Sequence, residues 1–134
     1  MSHFSAIQTQ LIDKEALVRG LQSLLEQHQI AASLEIHEEA VELHSDYDRA
    51  DTAFAHLVLR RHSLGAMLDL GFLQTEQGTF EAQVDEWDFS RAAHLLGQAF
   101  GTVRAFLELV QLSHDTAYIQ IHYPPERWDY RTQT

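Results

Sequence analysis

The sequence predicts an α+β protein of two layers, an antiparallel sheet of five to six strands covered by two helices, the second of them long. Three observations predict it. Short runs between Ala32 and Trp87 alternate apolar and polar residues at period two. The breaks between the later runs are short and hold Gly65 and Gly78, which suits an antiparallel meander. Two stretches, one before these runs and one after them, repeat apolar residues at helical spacing.

Taken in order, His3 to Gln10 alternates weakly and reads as a first strand. Asp13 stands where a helix N-cap belongs, and Leu17, Leu21, Leu24 and Leu25 then mark a helix over about 14–28. Gly20 inside it costs about 1 kcal/mol relative to alanine and lets another element come close. Ala32 to Ser45 reads as two short strands, or as one strand bent at Glu38-Glu39. Three further strand runs follow, at about 53–61, 66–74 and 79–87. Asp88 is placed to cap the long helix, predicted over about 90–112 from Ala92, Leu95, Leu96, Ala99, Phe100, Val103, Phe106, Leu107 and Val110. Leu107 to Leu112 also fits a strand, hairpinned through Ser113-His114-Asp115. Ala117 to Tyr123 reads as the last strand, stopped by Pro124-Pro125.

The 134 residues fit one domain over 1–134, with a short polar tail from about 124. The absence of cysteine excludes disulfides, thiolate nucleophiles and Cys-type metal sites. No leader-like opening and no membrane-length apolar run is read, so a cytoplasmic protein with no membrane contact is expected. Nine Lys and Arg against twenty Asp and Glu give a net charge of −11, which repels nucleic-acid phosphates and favours solubility and basic protein partners.

Two groups of residues carry a family resemblance. Met1 to Ser5, Ile7, Thr9 and Gln10 resemble the opening of the family called domain of unknown function 1257, found in plastid, cyanobacterial and other bacterial genomes. Gly65, Asp69, Gly71-Phe72, Gly78 and Asp85 resemble the strand-and-turn run that follows in that family. The segment Glu35 to Asp51 is more acidic than the family pattern. The resemblance implies the fold and an accessory protein whose partner is an ATPase of the AAA class; it implies no activity or cofactor.

Nine histidines invite a metal reading. On one strand, Glu35, His37 and Glu39 share a face, and Glu42 and His44 join them if the chain hairpins. His3 lies in the family-like opening, and His122 comes beside it if the terminal strands pair. His3, His37 and His44 are therefore the candidate ligands, in a set that suits zinc, iron or manganese. No His-Glu-x-x-His signature supports them. Asp46, Asp48 and Asp51 resemble a crude calcium loop without its glycine and bidentate glutamate, and read better as a solvated acidic loop. Asp85, Glu86 and Asp88 point in different directions on a strand. No P-loop, nucleophile elbow or dinucleotide fingerprint is present.

The expected function is a non-catalytic accessory or adaptor domain that binds another protein. Its expected contact residues are Glu35, Glu39, Asp46 and Asp48 in the acidic segment, and Trp128 and Tyr130 in the tail. A His/carboxylate metal protein or metal-dependent enzyme is the first alternative, and an acidic nucleic-acid mimic the second. An exposed edge strand also allows a homodimer.

Overall fold

Asp13 opens the helical layer as expected: its Oδ1 accepts the Ala16 amide at 2.9 Å, in a computed structural model that describes residues 3–127. The first helix, α1 (Lys14–Gln27), turns Ala16, Leu17, Leu21, Leu24 and Leu25 inward. Its apolar stripe meets a sheet of five strands, β1 (Ser5–Gln8), β2 (Glu35–Leu43), β3 (Ala53–Leu59), β4 (Leu70–Gln74) and β5 (Phe80–Val84). All neighbours are antiparallel, in the order β1-β5-β4-β3-β2. β1 and β2 are thus the two edges, and α1 joins one edge to the other. The segment 35–43 is one strand whose register with β3 slips between Ile36 and Val41, where the bend was expected.

Period two decides what the sheet buries. Leu57, Leu59, Leu70, Phe72, Phe80, Ala82 and Val84 join the α1 leucines in the main core. Val58 alternates with Leu57 and Leu59, so it points to the other side. There it forms a small cluster with Leu43 and Ala55, against which Phe4, Val41 and Ala53 pack.

The second half of the helical layer departs from the expectation. A short helix, α2 (Arg61–Leu64), takes the place of the expected turn after β3, and another, α3 (Glu86–Phe89), follows β5; in place of one helix over 90–112 there are the short helix α4 (Leu95–Phe100) and then α5 (Val103–His122). Asp85, not Asp88, supplies the N-cap of α3, accepting the Trp87 amide at 2.8 Å. Asp88 is buried at 2% exposure and accepts the amides of Met67 and Leu68. Gly101 adopts φ +87, a left-handed conformation that ends α4, and the Thr102 hydroxyl accepts the Ala105 amide to start α5.

Helix α5 continues through 107–112, so that segment is helical. It also runs through the expected hairpin at 113–115 and the expected strand at 117–123, ending at His122 before Pro124. Its buried stripe is Val103, Phe106, Val110, His114 and Ala117. The stripe passes through a histidine, so a count of apolar residues loses the helical rhythm there. Gly20 of α1 lies where a Cβ would stand 3.0 Å from the His114 amide nitrogen. This is the close approach expected of that glycine, and it fixes α5 against α1.

Candidate partner-binding surface

A buried carboxylate organises one end of the sheet. The Asp69 side chain is fully buried between β3 and β4. It accepts the His44 amide at 2.8 Å and the Arg61 amide at 2.8 Å. The guanidinium groups of Arg60 and Arg61 reach it at 3.0 and 3.1 Å. Burial acts to raise its pKa, but the two amides and the two arginines outweigh burial and hold it below 3.8.

Each arginine then holds a second acid. Arg60 grips Glu35 with two bonds, at 2.8 and 3.1 Å, and Arg61 holds Asp46 at 2.8 Å. The bond from Arg60 is the main reason that Glu35 is more acidic than usual, against the opposing effect of burial. The loop after β2 therefore starts from a fixed point. The Ser45 hydroxyl accepts the amides of Tyr47 and Asp48, Asp48 accepts that of Ala50, and Asp51 accepts that of Phe4 at 3.0 Å. Of these acids Asp48 closes a turn of its own backbone, Asp46 is held by Arg61, and Asp51 ties the loop to the start of the chain.

What the loop presents outward is aromatic. Tyr47 and Trp87 meet edge to face with ring centroids 5.7 Å apart. The Arg91 guanidinium carbon lies 5.3 Å from the Trp87 ring centroid and 5.8 Å from that of Tyr47, and Arg91 also bonds the tyrosine hydroxyl. Trp87 stays 52% exposed and Tyr47 42%. Two segments distant in sequence build this group: the loop after β2, and helix α3 with the turn that follows it. Sequence reading missed it because Trp87 falls at the end of a strand run and Tyr47 inside an acidic loop. The one available signal was an aromatic residue in each of two polar settings.

The expected site residues are dispersed. His37 pairs with Glu35 at 2.9 Å, His44 lies 3.7 Å from Glu42, and His3 lies 3.8 Å from Asp51. Among the described residues no group of three or more His, Asp or Glu is placed to hold a metal ion. His122 is not beside His3 on a paired strand. It sits at the end of α5 and meets the α1 N-cap, Asp13, at 2.7 Å. Next to it the buried His114 receives the Ile12 and Asp13 amides on Nε2, at 3.3 and 3.2 Å. Burial pushes the Asp13 carboxyl up, while the Ala16 amide and the two imidazoles pull it down and prevail. Glu35 and Asp46 are committed to arginines, whereas Glu39 and Asp48 are exposed. Trp128 and Tyr130 lie outside the described residues.

The chain matches no family model, no curated protein and no solved structure. The family resemblance rests on the quoted residues alone. Several of them have work within the fold: Asp69 anchors two arginines, Phe72 fills the core and Asp85 caps α3. Among the described residues, no helix is long and apolar enough to cross a membrane.

Proposed function

We propose that this chain is a non-catalytic accessory domain that binds another protein, with Tyr47, Trp87 and Arg91 at the centre of the contact. The observation that carries the reading is the half-exposed aromatic pair held by a guanidinium. Trp, Tyr and Arg are the residue types that most often dominate binding energy at protein interfaces. The group is already ordered in the free protein, so little side-chain freedom is left to lose on binding. Asp46 and Asp48 flank Tyr47 along the chain and Glu86 precedes Trp87, and with the net charge of −11 they steer a basic partner toward it. The family resemblance makes an ATPase of the AAA class the first partner to try.

Tagged protein captured at low salt from its host extract should bring down a stoichiometric partner that high salt releases. Trp87→Ala should weaken that complex about tenfold or more, the size of a modest hot spot. Its circular dichroism and melting should stay near those of the parent, because the ring is half exposed and its partners Tyr47 and Arg91 are exposed too. A complex of unchanged affinity would remove this surface from the proposal.

A further inference from the structure

The two sheet edges are built in opposite ways. β2 carries Glu35, His37, Glu38, Glu39 and Glu42 and an interrupted register, all devices that stop an edge from pairing with another chain. β1 reads Ser-Ala-Ile-Gln, with no charge, no proline and no bulge, and among the described residues it pairs with β5 alone. Beside it, between β1 and α5, lies a groove of about 680 Å³. Ile7, Val103 and Leu107 give the groove apolar walls, and Arg104 and Glu108 stand on the α5 side.

We propose that β1 is the joint of a twofold dimer, in which the β1 strands of two copies pair antiparallel and merge the two sheets into one. A second copy fits for two reasons. An uncharged strand can face itself across a twofold axis with no like charges opposed. The helix supplies the second reason. Gln111 Nε2 reaches the Gln10 carbonyl at 3.4 Å and His114 receives the Ile12 and Asp13 amides, so α5 runs alongside the chain that leaves β1, in the same direction. A twofold axis beside β1 sets α5 antiparallel to its mate. Arg104 and Glu108, both exposed and one turn apart, then face the opposite charge on the second copy, twice.

The test is the mass in solution, by light scattering and by sedimentation, from about 1 to 100 μM, a range that brackets ordinary transient dimers. The parent should approach twice 15.4 kDa. Arg104→Glu and Glu108→Arg alone should each weaken the dimer about tenfold or more, since both reciprocal pairs become repulsive. An equimolar mixture of the two single variants should regain it as a heterodimer, and so should the double variant. Ala6→Lys, at an exposed position, should also give a monomer with an unchanged circular dichroism spectrum. A parent that stays monomeric across the range overturns the proposal. So does a dimer that tolerates Ala6→Lys, or single variants that fail to recover on mixing while each remains folded.

Discussion

Removing the Asp69 carboxylate would leave the Arg60 and Arg61 guanidinium groups and two backbone amides without their shared acceptor. Asp69→Ala should therefore cost about 3 kcal/mol or more, the usual result of breaking a buried charge pair from one side, read from urea unfolding. The same carboxylate sets an acid limit. Its folded pKa lies below 3.8, so its stabilisation is present above that pH and is lost as pH falls through the folded value. A milder loss begins higher. Burial lowers the pKa of His94 below 6.5, against a weaker opposing effect from Asp88, and its Nδ1 has no hydrogen-bond partner among the described residues. A proton that the unfolded chain binds more readily costs stability as pH falls below 6.5. His94→Phe should keep the ring contact with Phe89 and flatten the stability profile below pH 6.5, by thermal unfolding at several pH values. A profile of unchanged slope would assign that loss to other groups. Residue type and position foretold the Asp13 cap, because a cap acts three residues away. They could not foretell Asp69, whose partners come from β3 and from the end of β2.

At the scale of the element, the break between α4 and α5 shows where local rules reverse. Helix propensity alone makes Gly97→Ala a gain of about 1 kcal/mol. A Cβ at Gly97 would stand 2.1 Å from the Phe89 carbonyl oxygen, far inside contact distance. The substitution should instead destabilise by about 2 kcal/mol or more, as overpacking does, and thermal melting checks the sign. The strands were legible because half-buried strands alternate, and α1 was legible because its stripe is all leucine and alanine. The long helix was misplaced by between three and four turns at its start and by about three at its end. Its apolar rhythm ran unbroken across Gly97 and Gly101, and its true continuation hides the buried His114 within a polar-looking stretch.

At the scale of the molecule, the two surfaces proposed for other chains lie on different elements of the described residues. The aromatic group joins the loop after β2 to α3, while the uncharged edge is β1 beside α5. Trp87→Ala should leave the mass in solution unchanged, and Ala6→Lys should leave the contact at Trp87 intact. Glu86, next to Trp87 in α3, also lines the groove beside β1, so additivity of the two effects is itself open to measurement. A combined variant measured for mass and for partner affinity would expose any coupling between the two.

The sequence by itself determined the α+β class, the Asp13 cap, the strand runs before residue 88 and the acidic balance, because each depends on residues within a few positions of one another or on composition. The tertiary structure alone decided where the second helix begins, which acids are held by arginines, and that Tyr47, Trp87 and Arg91 meet. These depend on contacts between segments tens of residues apart, and a periodicity read along the chain holds no information about which distant segment arrives at a given face.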